Sequence, residues 1–414
     1  MSNAGSTGKP FEGIRILDFS QVIAGPVASQ LLNASGAQII KIEAPGKGDQ
    51  LRSMVLSPHQ DRSRDSAAFN AVNRGKQSIC LDLKSAPGRQ VALRMAALSD
   101  VVIENFRPGV MSRLGLDYAS IKAVRQDIIY CSLSGYGQTG PLSARPAYDS
   151  AIQAASGMMS NTGHPETGPT RTGYTPVDVS AGMLAGFAVS SALLRRERTG
   201  EGQYLDVAML DAAMMLQVTS VAASLDDGGS AGLNGNASPA HSLTADCFPT
   251  KDGSILLSAL IPTHGHAVMR CLNLPESIWD EYRQLPADAA QAIQYHQQVG
   301  AVFASKESAY WADQFLPLGI AFERVNSVRE ATELEQQAFR NILDRPKPVE
   351  RSGPTAHRAT YGGAFMANAD GPDVNGADSP ALGEHTQNVL ETLGFKAEEI
   401  AALSSAGAFG APTT

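Results

Sequence analysis

Asp178 is the residue whose type and setting most clearly permit covalent chemistry. It follows Pro176 and precedes an apolar run rich in alanine, glycine, serine and valine, which closes at Gly200 after a basic turn. Proline at the start, cations near the end and a terminal glycine predict a helix. An aspartate at such a start is either an N-cap or a reactive carboxylate, and the local pattern alone favours the cap.

The first half of this predicted helix carries small side chains, which bears on what can approach Asp178. They are Ser180, Ala181, Gly182, Ala185 and Gly186. Little side-chain bulk lets a ligand or another chain come close to a helix backbone, although small residues also simply pack tightly. The sequence leaves both interpretations open.

A second candidate motif, GYGQTG, places Gly135, Gly137 and Gly140 directly after a predicted strand. The spacing matches a dinucleotide-binding fingerprint. However, Pro141 follows at once, and no acidic residue stands about 20 positions later to hold a ribose. We therefore interpret the glycines as a place where the chain passes close to a ligand.

Composition excludes several classes of function. The 414 residues carry a formal net charge of -8 and contain no run of lysine or arginine, which argues against nucleic acid as a partner. Four cysteines stand far apart, there is no HExxH, and the lone THGH around His264 and His266 reads as a surface or packing feature. We therefore expect no metal site, no disulfides and a cytoplasmic protein. The apolar run 179–194 is shorter than the roughly 20 residues that a bilayer requires, so no membrane span is predicted.

Alternating strands and helices must position the candidate residues. Strands are predicted at 14–19, 37–43, 78–83, 100–106 and 127–137, with helices at 27–33 and 85–99, the latter capped by Ser85. Uniformly apolar strands in this order predict an α/β fold whose Rossmann-like parallel sheet is flanked by helices. Ligands then collect at the carboxyl ends of the strands.

The rest of the chain predicts a second, smaller domain and a return. Residues 1–10 are typical of an expression tag or a disordered N-terminus and are left out of fold reasoning. The large domain is expected at 11–225, a small α+β domain at 226–330 and a return to the large domain at 331–414. Within the small domain a hairpin is predicted, with its turn at Lys251 to Gly253. Within the return, 379–403 predicts two amphipathic helices broken at Gly394.

Seven segments, in order, resemble one known family. They are GIRILDFSQVIAGP, AQIIKIEAPGKGD, FNAVNRGKQSICLDLK, DVVIENFRPGVMSRLGL, YCSLSGYGQTGPLSARPAYDSAIQAASGMM, RERTGEGQYLDVAMLDA and LGEHTQNVLETLG. Together they resemble the class III CoA-transferases, which include formyl-CoA transferase, carnitine CoA-transferase and α-methylacyl-CoA racemase. The resemblance runs from Phe11 to Leu403 and is densest before Ala212.

The resemblance implies an enzyme that uses acyl-CoA and a carboxylic acid, with no metal and no cofactor beyond CoA itself. It also implies a large parallel-sheet domain, a smaller domain and a homodimer of two interlocked chains. Asp178 matches the family's nucleophile, which forms a mixed anhydride and then an aspartyl-CoA thioester. We expect the helix start to keep this carboxylate ionised and backbone N–H groups of a glycine segment to stabilise the oxyanion.

Family position also implies a set of CoA contacts. Val22, Ile23 and Ala24 would line the thioester end, and Gly135, Tyr136 and Gly137 would lie near the acyl group. Lys84 and Arg113 would meet phosphates, Asn105 and Phe106 would hold pantetheine or adenine, and Leu81 completes the set. Arg107 and Arg89 are further candidates by charge alone. A solvated surface charge remains the alternative for each basic residue.

Departures from the family pattern limit what carries over. Formyl-CoA transferase has glutamine where Ile23 stands and arginine where Ala44 stands, so its substrate and that phosphate contact are not implied here. The racemase branch has histidine where Tyr148 stands. Tyrosine is a poor general base near neutral pH, which argues against racemase chemistry and makes the adjacent Asp149 a structural acid. Racemisation remains the second hypothesis, and a nucleotide-binding or scaffold protein without a reaction the third.

The sequence does not identify the acids that exchange CoA. Arg171, His164 and Tyr174 shortly precede Asp178 and are candidates for binding the second carboxylate of a dicarboxylic acyl group such as succinyl. Each can equally be loop surface.

Overall fold

The computed structural model describes residues 8–55, 62, 64–229, 232–340, 343–344, 360–361 and 378–410. The chain divides into two compact units. One contains Gly173–Val218 and the described parts of Met1–Ser156 and Glu335–Thr414. The other contains Gly157–Thr172 and the described parts of Thr219–Leu334. The sequence-based domain boundaries at 225 and 330 stay predictions, and residues 1–7 of the expected N-terminal tag lie outside the described residues.

The described strands are short and fall in both units. In chain order they are β1 (Arg15–Asp18), β2 (Gln38–Glu43), β3 (Gln77–Cys80), β4 (Val101–Glu104), β5 (Ile129–Ser134), β6 (Gly163–His164), β7 (Gly168–Pro169), β8 (Gln203–Ala208), β9 (Cys247–Thr250), β10 (Gly253–Leu257), β11 (Phe322–Arg324), β12 (Leu343–Asp344) and β13 (Thr360–Tyr361).

The described helices include one that is much longer than the rest. In chain order they are α1 (Ala24–Ala34), α2 (Ala67–Asn73), α3 (Ala86–Ala97), α4 (Val110–Leu114), α5 (Tyr118–Val124), α6 (Asp149–Ala155), α7 (Pro176–Thr199), α8 (Met209–Leu216), α9 (Val218–Asp227), α10 (Pro262–Cys271), α11 (Ser277–Tyr282), α12 (Ala290–Phe303), α13 (Ser308–Phe315), α14 (Val328–Thr332), α15 (Glu335–Arg340), α16 (Thr386–Thr392) and α17 (Ala397–Ser405).

A parallel sheet of six strands organises the first unit, as the sequence predicts. Its order is β3-β2-β1-β4-β5-β8, and every neighbouring pair is parallel. The chain moves outward from β1 through β2 to β3 and then crosses back to β4. Strand order therefore reverses between β1 and β4, and a crevice forms outside the carboxyl ends of strands at such a point.

Helices cover the sheet and bury its apolar side chains. One core cluster joins Leu17, Ile40 and Val102 of the sheet to residues of α3, α4, α5 and α16. Ser85 caps α3 as predicted, since its side chain accepts the N–H of Gly88. The two tail helices flank Gly394, again as predicted. β3 ends at Cys80 rather than continuing to residue 83: the Leu81 N–H still donates to the Glu43 carbonyl of β2, but the Asp82 N–H donates to the Ala408 carbonyl outside the sheet.

The long helix α7 has the predicted extent but not the predicted cap. It ends at Gly200, whose φ of 73° is left-handed and whose N–H reaches the Arg196 carbonyl. Its N-cap is Thr175, Pro176 opens the first turn, and Asp178 lies inside that turn. The expectation that Asp178 is the N-cap is therefore wrong. By length and composition α7 resembles a membrane span. In its first half Ala181, Gly182, Ala185 and Gly186 are buried.

The second unit contains the predicted hairpin. β9 and β10 pair antiparallel, with Thr250 opposite Gly253 across the expected turn, and β11 adds to the other edge of β10. A core of aromatic and aliphatic side chains, including Trp279, Phe303 and Trp311, joins this sheet to helices α10 to α13.

Candidate active site

A cavity of about 370 Å³ lies at the carboxyl ends of β1, β4 and β5, where strand order reverses. The loops after these three strands and the first turn of α7 form its walls. The lining residues that bear on function are Gln21, Val22, Ile23, Ala24, Asn105, Phe106, Arg107, Gly135, Arg145, Tyr148 and Asp178. This volume lies near the lower end of the range for small-molecule sites.

The carboxylate of Asp149, at the start of α6, caps the first turn of α7. Its Oδ2 accepts the N–H groups of Val177 at 2.8 Å and of Asp178 at 3.0 Å, and its Oδ1 accepts the amide of Gln153. Asp149 is buried. The expectation that Asp149 is a structural acid agrees with this geometry: it satisfies helix N–H groups that Asp178 was expected to satisfy.

The Asp178 carboxylate is left without a hydrogen bond or ion pair among the described residues. Burial, and then the negative charge of Asp149, raise its pKa to about 7. The expectation that the helix start keeps Asp178 ionised does not fit this raised pKa, which burial and the charge of Asp149 cause. Near pH 7 the group is divided between a nucleophilic carboxylate and a neutral acid.

The loop after β1 is fixed by side chains from two other loops. Asn105 accepts the Gln21 N–H at 2.8 Å and donates to the Gln21 carbonyl at 2.7 Å. Asp49 accepts the Val22 N–H at 2.9 Å. Val22 has a φ of 67°, a left-handed conformation that costs a non-glycine residue of the order of 1–3 kcal/mol. For a β-branched side chain this is a true outlier.

Buried ion pairs support this loop from beneath. Lys41 Nζ lies 2.8 Å from Asp49 Oδ2, and both side chains are fully buried. Burial lowers the pKa of Lys41, but Asp49 and then Asp18 outweigh it, so the pKa is raised overall and the group stays charged. Burial lowers the pKa of the neighbouring Lys76 to about 7 in spite of Asp18. Lys41 and Asp49 therefore form a buried, charged pair behind the loop.

Gly135 follows β5 at a point where no side chain fits. A Cβ atom there would lie 2.1 Å from the Cβ of Ala147. The first glycine of GYGQTG thus permits close packing of two chain segments at the cavity wall, and the close approach to a ligand that we expected of these glycines stays a prediction. Beyond it, Asp206 accepts the Gln138 N–H at 2.9 Å and fixes the turn.

Comparison with known proteins assigns the family. The family model described as CoA-transferase family III matches residues 11–386. The chain belongs to CoA-transferase family III. It is 34% identical to the succinyl-CoA:glutarate CoA-transferase of Mus musculus over 93% of this chain and 86% of that protein. It is 35% identical to the acetyl-CoA:oxalate CoA-transferase of Acetobacter aceti over 83% and 88%.

A solved structure agrees with this CoA-transferase assignment. The crystal structure of a CAIB/BAIF family protein from Brucella suis superposes with a TM-score of 0.80 and 28% sequence identity. The match covers 93% of this chain and 99% of that chain. The resemblance seen in the sequence and the parallel-sheet fold are both confirmed. The chain is therefore an enzyme of the CoA-transferase class.

The CoA-transferase cavity gathers some of the predicted site residues and not others. Asp178 lines it together with Val22, Ile23, Ala24, Asn105, Phe106, Arg107 and Gly135. Tyr136, Gly137, Leu81, Lys84 and Arg113 do not line it. The Leu81 side chain is enclosed in the core cluster, whereas Lys84 and Arg113 are exposed at the surface. Contacts of these five with the rest of a CoA molecule stay predictions.

Sequence reasoning missed Arg145. It lines the cavity two residues before Ala147, and its guanidinium makes no ion pair with any described carboxylate; the same holds for Arg107. The signal was available, because Arg145 lies in the loop after β5 just as Arg107 lies in the loop after β4. These two cations suit the phosphates or carboxylates of the substrates. Among the described residues no group of His, Cys, Asp or Glu is suited to hold a metal ion.

Proposed function

We propose that this CoA-transferase moves CoA from an acyl-CoA to a carboxylic acid through covalent intermediates on Asp178. The observation that carries the proposal is the Asp178 carboxylate, which lines the cavity with no hydrogen-bond partner among the described residues. A carboxylate held by other groups is a weak nucleophile. Asp149 takes the helix N–H groups, so Asp178 remains available for attack.

The proposed reaction has four balanced steps. The Asp178 carboxylate attacks the thioester carbonyl, the C–S bond breaks, and CoA leaves as a thiolate from a mixed anhydride. The thiolate then attacks the Asp178 carbonyl of the anhydride and releases the donor acid, which leaves an aspartyl-CoA thioester. The acceptor carboxylate displaces the thiolate to form a second anhydride. The thiolate finally attacks the acceptor carbonyl, which frees Asp178 and the new acyl-CoA.

The substrates of the two curated relatives narrow the proposed acids. Their names give glutarate and oxalate as acceptors, and both are dicarboxylic acids. We extend a dicarboxylic substrate to this chain, with Arg107 and Arg145 as the cations of the cavity. Tyr174 is exposed, while His164 and Arg171 belong to the second unit. Their contact with a distal carboxylate stays a prediction.

Trapping the intermediate tests the proposal. The protein is incubated with succinyl-CoA, treated with hydroxylamine and digested, and mass spectrometry locates the modified residue. We expect an aspartyl hydroxamate at Asp178 and a loss of transfer of at least about 10⁴-fold in Asp178→Asn, since the nucleophile is removed. The exposed Asp211→Asn, on α8, is the matched control.

Two outcomes would contradict the proposal. One is full transfer activity in Asp178→Asn. The other is exchange of the α-proton of a 2-methylacyl-CoA with solvent deuterium in the absence of any adduct, which would favour the racemase hypothesis instead.

A further inference from the structure

Val22 has a backbone conformation that its own side chain disfavours, and it lies on the cavity wall. Valine with a φ of 67° does not adopt this state without external constraint. Such strain persists only where surrounding groups over-determine it, and it concentrates at functional sites. The question is which group supplies the constraint.

Asp49 makes the contact that fixes Val22. Its Oδ1 accepts the N–H groups of Val22 and of Leu51, both at 2.9 Å. Its Oδ2 pairs with Lys41 Nζ at 2.8 Å, and its own N–H donates to Glu43 Oε2 at 2.9 Å. Asp49 is therefore held from its backbone and from both carboxylate oxygens, and it can impose a geometry on Val22.

Lys41 also fixes Ser20, two residues before Val22. Its Nζ donates to the Ser20 carbonyl at 2.8 Å while it pairs with Asp49. Between these anchors, Asn105 holds both the N–H and the carbonyl of Gln21. Three consecutive residues, 20 to 22, are thus each fixed by a side chain from elsewhere in the fold. The next two residues, Ile23 and Ala24, line the cavity with Asp178.

We infer that Asp49, through its ion pair with Lys41, is a positioning residue that holds Val22 in the left-handed conformation and so presents Ile23 and Ala24 to the reacting thioester. Asp49 is not among the residues that line the cavity and acts through the Val22 N–H. The inference rests on the proposed function, because it concerns how that reaction is positioned.

A rescue experiment tests the inference. Glycine adopts the left-handed conformation without strain, so Val22→Gly should replace what Asp49 supplies. We expect Asp49→Ala to lower kcat by at least about tenfold, which corresponds to the lower part of the strain range. Adding Val22→Gly to Asp49→Ala should recover at least about half of that loss on a logarithmic scale, and Val22→Gly alone should cost less than Asp49→Ala.

Controls separate positioning from a merely structural role. Asp65→Asn removes a carboxylate that pairs with Arg52 in the same region at 2.6 Å but does not contact Val22, and it should leave kcat within about threefold. Should Asp49→Ala fail to fold because it leaves the buried Lys41 unpaired, Asp49→Ala combined with Lys41→Met, which removes both buried charges and the acceptor of the Val22 N–H, carries the same cycle. If Val22→Gly gives no rescue in a folded Asp49 variant, the inference is overturned. The loss of kcat would then come from the missing ion pair, which glycine cannot restore, and not from the conformation of Val22.

A second measurement keeps this inference distinct from the proposed function. Binding of CoA itself is measured by calorimetry in the same four proteins. If the unaltered chain transfers CoA between no pair of acids, the proposed function fails. The dissociation constant for CoA then tests the inference. It should rise in Asp49→Ala and return toward the value of the unaltered protein in the double variant. Equal dissociation constants in all four proteins would overturn it.

Discussion

At the scale of residues, two neighbouring carboxylates at the start of α7 have different surroundings. Asp149 satisfies the N–H groups of Val177 and Asp178, and Asp178 is left half-buried, unpaired among the described residues and close to a like charge. Two acids whose surroundings differ in this way take different roles. Asp149 is the structural acid and Asp178 the proposed nucleophile.

The raised pKa of Asp178 predicts how the rate depends on pH. Only the ionised carboxylate attacks a thioester, so adduct formation should increase as pH rises through about 7 and level off above it. Single-turnover adduct formation measured from pH 5 to pH 9 gives the midpoint. Asp149→Asn, which removes the second cause of the shift, should move that midpoint to lower pH. A midpoint near the ordinary value of 3.8 in the unaltered protein would contradict this.

The same raised pKa predicts that the ionised form of Asp178, which is the reactive form, lowers the stability of the fold. The folded protein binds a proton at Asp178 up to about pH 7, whereas the unfolded chain releases it near 3.8. The carboxylate therefore destabilises the fold increasingly between these pH values, and fully above pH 7. Asp178→Asn should raise the unfolding free energy at pH 8 by about 2–4 kcal/mol, and the gain should vanish below pH 4.

Chemical denaturation of both proteins at pH 4 and pH 8 measures this difference. An Asp178→Asn protein that is no more stable than the unaltered chain at pH 8 would show that burial does not raise this pKa.

At the scale of elements, the position of Asp178 depends on how closely α7 crosses α1. A Cβ at Gly182 would lie 2.6 Å from the Ala24 carbonyl oxygen and 2.8 Å from the Val27 side chain. Four residues later, a Cβ at Gly186 would meet nothing closer than 3.9 Å. Gly182 therefore serves tight packing against α1, one of the two interpretations that the sequence left open.

These two glycines give opposite predictions for the same substitution. Gly182→Ala should lower the unfolding free energy by about 1–3 kcal/mol, because Ala24 and Val27 must move. It should also reduce transfer, since α1 begins at the cavity. Gly186→Ala should raise stability by about 0.5–1 kcal/mol, because alanine favours the helix and finds space. Thermal unfolding of both variants checks the pair, and equal effects would refute the close crossing.

Elements were predictable where the signals were local. Pro176 and Gly200 mark the ends of α7, and apolar strands predict the parallel sheet, because each depends on neighbouring residues. The cap of α7 was not predictable, since its acid lies 28 residues earlier in the chain. The left-handed conformation of Val22 could not be predicted either. The residue is not a glycine, and Asp49, which imposes this conformation, lies 27 residues away in the chain.

At the scale of the whole molecule, apolar side chains on two helices of the first unit are exposed among the described residues. On α7, Val179, Met183 and Phe187 recur every four residues and are exposed, Phe187 by 70%. Exposed Met215 and Leu216 follow on α8. The four-residue spacing places Val179, Met183 and Phe187 on one face of α7, and large apolar side chains exposed together on a helix face mark an interaction surface. We propose that a second copy of the chain covers this surface, as the family resemblance implies.

The homodimer is tested by mass and by substitution. The unaltered protein should sediment with twice the chain mass of 43.5 kDa. Phe187→Glu should raise the dimer dissociation constant at least about 100-fold, because an unpaired carboxylate would be buried at the contact. Val328→Glu, at a valine that is 83% exposed in the second unit, is the matched control. A single-chain mass for the unaltered protein would refute the dimer, and the exposed apolar side chains of α7 would then need another partner.

Interlocking of the two chains makes a further prediction. When tagged dimers are mixed with untagged dimers, interlocked chains should exchange no subunits unless the protein unfolds.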